Sequence, residues 1–181
     1  LSALSTGGFS NRDTSFTEFA VPLHYVTVAA MILSTLPFIR FIQLFRGEVK
    51  PLWQDLQVRA YLRWTLYAII MVLAWRVIRD AQPFWPALHQ SVFNVVSIFS
   101  GTGLLSGDPG QWGPLPFMVL LIVGFIGGCT SSTGCSVKVF RYLIMFRAIT
   151  TQIRRLLQPA AVHPLRLQGR RVEQEVISSV I

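Results

Sequence analysis

The sequence predicts an all-α integral membrane protein assembled from repeated units. Each unit is a membrane helix, a short re-entrant helix, a glycine-containing loop and a second membrane helix. Three observations carry this. The 181 residues are 52% apolar, but the apolar residues fall in long blocks separated by basic segments, the pattern of membrane spans. If those blocks are spans, 13 of the 16 Lys/Arg share one side, leaving Arg12, Arg76 and Arg79 opposite, and the rich side is cytoplasmic. Loops rich in Gly, Ser and Thr interrupt the apolar pattern at membrane depth. Freed backbone is tolerated there only where protein buries it or where it lines a water-filled cavity. The net charge of +8 is therefore a topology signal, and nucleic acid is not an expected partner.

Residues 1–13 read LSALSTGGFSNRD, with a turn at Gly7-Gly8. The first span is residues 19–45, interrupted by Pro22, Pro37 and Arg40 but long enough to cross roughly 30 Å of hydrocarbon. Arg40 and Arg46 snorkel at its cytoplasmic end, and His24 is a packing or interfacial residue. Residues 47–59 form a polar cytoplasmic connection. The second span, residues 60–78, carries Arg63, Trp64, Trp75 and Arg76 near its ends as interfacial anchors. Residues 83–99 are helical from about Pro86 but contain His89, Gln90, Ser91, Asn94 and Ser97. That segment is too polar and too short for a lipid-facing span of roughly 20 residues, so it reads as a re-entrant half-helix over 86–99. It runs into Ser100-Gly101-Thr102-Gly103-Leu104, and residues 107–110 make a second turn. The last apolar run, residues 114–146, contains Gly127-Gly128-Cys129-Thr130-Ser131-Ser132-Thr133-Gly134-Cys135-Ser136. Ten small, mostly polar residues there predict a broken helix beside a pore; a small-residue helix contact is the rival reading. Residues 147–157 continue as a basic amphipathic helix, Pro159 and Pro164 end it, and the tail to 181 contacts lipid headgroups or a cytoplasmic partner.

The order repeats. Superimposing Gly8 on Gly103, an offset of 95, pairs Ser5 with Ser100 and Asp13 with Asp108. Residues 60–146 are then one complete unit: outer helix 60–78, pore helix 86–99, filter 100–104 and broken inner helix 114–146. Residues 1–46 supply the filter loop and inner helix of the preceding unit, and residues 147–181 a cytoplasmic linker. Beginning at Leu1 and stopping at Ile181 in mid-pattern, the chain is expected to be a fragment, and no signal-peptide pattern precedes the first apolar block.

No catalytic constellation is present. The carboxylates are scattered, and no loop has P-loop form. Cys129 and Cys135, six apart without histidines, match no zinc spacing and are expected to be small buried residues. The chain is not expected to be an enzyme. Two Ser/Thr/Gly loops before spanning helices instead suit a cation filter, in which small residues let backbone carbonyls replace the ion's hydration shell.

Four stretches carry a family likeness: STGGFS at 5–10, VFNVVSIFSGTGL at 92–104, FIGGCTSSTGCSVKVFR at 125–141 and RRLLQPAAVHPLRLQG at 154–169. On these the chain resembles the Trk/Ktr/HKT superfamily of potassium transporters, most closely its TrkH branch. The resemblance implies four repeats around one pore, of which this chain holds the end of the second, the third and the linker toward the fourth. It implies that Ser5, Thr6, Gly7, Gly8, Ser100, Gly101, Thr102 and Gly103 form two of four filter walls for K+, the transported ion, with no cofactor. Residues 127–136 become the intramembrane gate loop. Relatives carry GGCAGSTGGG there, so Ser131, Cys135 and Ser136 stand where glycine is expected and narrow the loop's freedom. Lys138 and Arg141 match basic positions that line the cytoplasmic vestibule; positive-inside anchoring is the equal alternative. Implied partners are the lipid bilayer of the bacterial cytoplasmic (inner) membrane, a second copy in a homodimer and a cytoplasmic nucleotide-binding regulatory subunit. A truncated, non-conducting membrane protein that docks a partner through 147–181 is the alternative, and flanking DNA without further pore repeats would favour it. A broken-helix secondary transporter predicts inverted repeats, whereas the two copies here run in the same sense.

Overall fold

The structure, a computed structural model, describes residues 2–10, 16–17, 19–48, 50–157, 166–167 and 170–171. Helices dominate. They are α1 (Val21–Thr35), α2 (Phe38–Phe45), α3 (Lys50–Gln54), α4 (Leu56–Ile78), α5 (Phe84–Ser100), α6 (Pro114–Phe125) and α7 (Val139–Leu157), with a 3₁₀ turn at Pro109–Trp112. Two short parallel strands, β1 (Ile126–Gly127) and β2 (Val137–Lys138), lie between α6 and α7. β3 (Arg166–Leu167) and β4 (Arg170–Arg171) pair antiparallel further on. The rest of the expected cytoplasmic linker lies outside the described residues.

Local chemistry sets the boundaries. Pro22 falls in the first turn of α1, where its missing N–H has no partner to lose. The Asp55 carboxylate caps α4 by accepting from Gln57 N at 2.9 Å, so this helix starts at Leu56 rather than at residue 60. α5 starts at Phe84 and ends on Gly101, whose left-handed backbone (φ 77°) closes the last turn.

The apolar run at 19–45 is not one straight span. α1 and α2 meet at 100° across Leu36 and Pro37. Proline disfavours helical backbone in the residue before it, and Leu36 is extended (φ −81°, ψ 156°).

Packing is organised on α5, whose 17 residues are about 26 Å long. On one side Val95 and Phe99 meet Tyr61 and Val72 of α4 and Leu120 and Val123 of α6. The Tyr61 and Phe99 rings meet edge-on at 4.8 Å. On the other side Phe93 and Val96 pack with Val28 and Met31 of α1 and with Leu104. The outward faces are apolar: Val26, Tyr67, Ile70, Met118 and Ile122 are all exposed. Such an exterior suits lipid or further protein rather than water. Among the described residues, α4 is long and apolar enough to cross a bilayer alone, and the bent α1–α2 pair qualifies if counted as one span.

Candidate functional site

One glycine-containing loop precedes α1 and another follows α5. In the first, Thr6 and Gly8 hold left-handed backbone (φ 51° and 71°); in the second, Gly101 and Gly103 do (φ 77° and 78°). The two pairs correspond at the offset of 95 residues. Left-handed residues at every second position allow successive carbonyls to face one side, as a carbonyl-lined ion site requires. The Ser97 carbonyl holds the second loop by accepting from Thr102 N (3.0 Å) and Gly103 N (3.3 Å). The Ser100 and Thr102 hydroxyls lie 2.7 Å apart. In the first loop Gly7 N donates to Ser2 O at 3.0 Å, while Ser5 and Gly7 are exposed. Gly8 lies so close to the Thr102 carbonyl that a Cβ would overlap it, which places the loops side by side. A Cβ on Gly103 would meet nothing within 4 Å.

The break between α6 and α7 packs against both loops. Thr6 Oγ1 is 2.9 Å from Thr133 O, and Thr133 Oγ1 lies 3.3 Å from Leu4 O. A Cβ on Gly101 would sit 2.9 Å from that of Cys135, and one on Gly134 would sit 3.4 Å from Ser100 O. Gly127 admits no side chain, because a Cβ there would overlap the Cys135 carbonyl. The α1–α2 corner is stitched to the same segment. Cys129 N donates to Thr35 O (3.0 Å), Thr133 N to Ser34 O (3.3 Å) and Phe38 N to Ser131 O (3.0 Å). These bonds account for the direction in which α2 leaves α1, which the proline alone does not specify. Gly128 is pressed against Thr35, and its carbonyl accepts from Val139 N at 3.2 Å. The Ser132 hydroxyl donates to Cys129 O at 2.6 Å and the Ser136 hydroxyl to Gly124 O at 2.7 Å. Ser131 and Ser136 are left-handed (φ 63° and 65°). Both cysteines are free; Cys129 is buried as expected, whereas Cys135 is exposed. Lys138 turns back on the loop, its Nζ donating to Ser132 O (3.3 Å) and to Gly134 O. Arg141 is exposed in the first turn of α7.

A profile of the TrkH family, described as a cation transport protein, matches residues 1–180. The chain belongs to the TrkH family. It is 31% identical over 183 residues to the Trk system potassium uptake protein TrkI of Halomonas elongata, covering 100% of this chain and 37% of that protein. It is 29% identical over 185 residues to the Trk system potassium uptake protein TrkH of Vibrio parahaemolyticus, covering 99% and 38%. The crystal structure of the potassium transporter TrkH from Vibrio parahaemolyticus superimposes with a TM-score of 0.93 at 27% identity, covering 99% of this chain and 39% of that one. The chain thus spans somewhat over a third of the length of these relatives.

Three contacts in this TrkH-family chain escape a reading of the sequence. Thr130 N donates to Gln57 Oε1 at 3.0 Å, joining the break to the start of α4. Nothing in the polar stretch around Gln57 marks it out. Arg76 is not an interfacial anchor: it is buried, donates to Gln90 Oε1 (2.8 Å) and lies 4.1 Å over the Trp112 ring. It fastens α4 to α5. His24 is paired, with Nδ1 2.9 Å from His89 Nε2 and Nε2 2.7 Å from Phe16 O. A carbonyl only accepts, so neutral His24 carries its proton on Nε2 and His89 donates through its own Nε2. No group of three or more His, Cys, Asp or Glu that could hold a metal occurs among the described residues.

Proposed function

We propose that this chain forms part of the pore wall of a potassium-conducting, Trk-type uptake system in the bacterial cytoplasmic (inner) membrane. Residues 60–146 make one complete repeat, with α5 as its re-entrant pore helix, and residues 1–46 belong to the preceding repeat. Residues 47–59 and 147–181 lie in the cytoplasm. Carbonyls of residues 5–8 and 100–103 replace the water around K+. The relatives' names as potassium uptake proteins support the choice of ion. Residues 127–136 gate the path beneath the filter. Lys138 holds their carbonyls with a charge-assisted grip, and Arg141 faces the vestibule. The complete transporter closes its filter with walls from the other repeats, pairs as a homodimer and answers to a cytoplasmic nucleotide-binding regulatory subunit.

The observation that carries this reading is the contact between the break and both glycine loops, through Thr133 to Thr6 and Cys135 beside Gly101. A helix interruption seated there is placed to obstruct or release whatever the loops coordinate. The test is Gly103→Ser in the complete transporter. A serine at φ 78° is strained and reorients its carbonyl, so K+ over Na+ selectivity in flux assays is expected to fall about ten-fold. Unchanged selectivity removes the filter assignment.

A further inference from the structure

The backbone leaving the second glycine loop is gripped by a side chain that the pore reading has not used. Asn94, in the body of α5, and Ser106 are both buried. Asn94 Nδ2 donates to Ser106 O at 2.8 Å, and Ser106 N donates to Asn94 Oδ1 at 3.0 Å. The other Nδ2 proton goes to Gln90 O, one turn back, at 2.9 Å. Both protons of the amide are used and its oxygen faces an N–H, so its orientation is determined by its partners. One side chain thus satisfies both backbone groups of Ser106, as a neighbouring strand would.

The loop is held by α5 at both ends. Ser97 O holds its start through Thr102 N and Gly103 N, and Asn94 holds its exit. Gly103 itself is exposed, with open space where a Cβ would point, and is tied down through its N–H to Ser97 O. Its position therefore depends on its flanks, buried Leu104 and clamped Ser106 on one side and Ser97 on the other. We infer that Asn94 is a positioning residue for ion selectivity, setting where the carbonyls of residues 102–104 stand and so how well the site separates K+ from Na+. This rests on the filter reading above. Whether a filter selects by cage size or by the field of its dipoles, a slackened exit lets oxygens close around the smaller ion.

The test uses the complete transporter. Asn94→Asp keeps the shape, but a carboxylate cannot donate to Ser106 O or Gln90 O; Asn94→Ala removes the grip. Each is expected to lower the K+ over Na+ uptake ratio about ten-fold, the scale of the lost hydrogen bonds. Ser91→Ala serves as the control. Ser91 is fully buried one turn away, with no partner for its hydroxyl among the described residues, and its removal is expected to leave the ratio unchanged. A folded Asn94→Asp or Asn94→Ala protein with the wild-type ratio overturns the inference. If neither folds, amide exchange in the unaltered transporter decides. The Ser106 N–H is expected to exchange at least about ten-fold more slowly than Gly107 N–H, which has a 3.4 Å bond to the Thr17 hydroxyl; equal rates overturn the clamp. Gly103→Ser separates the two layers. If it shifts the ratio while the Asn94 variants do not, the clamp falls and the filter stands; if it does not, the filter reading falls first.

Discussion

Ser131 and Ser136 hold backbone angles that cost a residue with a Cβ about 1 kcal/mol or more. Both stand where the family likeness places glycine, so this chain keeps the path of the break while carrying strain in it. Ser131→Gly is expected to stabilise the protein by about 1 kcal/mol, read as a higher thermal midpoint of the purified transporter. Ser136→Gly is expected to change stability by far less. It relieves similar strain but loses the hydroxyl bond to Gly124 O at 2.7 Å, itself worth about 1 kcal/mol. Equal gains from the two substitutions would show that this hydroxyl contributes nothing. The residue types were legible in the sequence. Their left-handed angles were not, because serine gives no sign of a backbone conformation that its neighbours impose.

At the scale of elements, the break after α6 is readable because ten small or polar residues stand out in an apolar run, and the glycine loops because their spacing recurs at 95 residues. The 100° corner between α1 and α2 is not readable in the same way. A proline announces a bend, but its direction is set by Thr35 and Ser34 accepting from residues 129 and 133, nearly a hundred positions away. Arg76 departs from its expected place at the interface because its partner lies on α5. His24 is the packing residue expected, but its partner on α5 was not legible, since composition says nothing about which helices touch. One junction combines local and distant chemistry. Asp55 caps α4 through Gln57 N and also pairs with Arg40 of α2 at 2.8 Å. Asp55→Ala is expected to destabilise by about 2 kcal/mol, from a lost cap and a lost, partly exposed ion pair. Asp55→Asn keeps the capping oxygen and should lose about half as much, measured by chemical or thermal unfolding in detergent. Equal losses would mean that the cap is immaterial, and no loss in Asp55→Asn would mean that the pair with Arg40 is.

On the scale of the whole molecule, this chain corresponds to 37% to 39% of its relatives' length. Its exterior presents apolar side chains on α1, α4 and α6 alike. Residues 1–181 expressed alone in cells lacking potassium uptake are expected to give no K+ accumulation, whereas the same segment within a complete transporter restores it. Uptake by the segment alone would contradict a filter that needs four walls. The seam that closes the break joins main chain to main chain: Cys129 N to Thr35 O, Thr133 N to Ser34 O, Phe38 N to Ser131 O and Val139 N to Gly128 O. Main-chain groups are the same whatever residue carries them, so the seam tolerates mutational drift wherever a substitution leaves the backbone path intact. That latitude offers a physical account of how a chain only 27% identical to a solved transporter follows its course at a TM-score of 0.93.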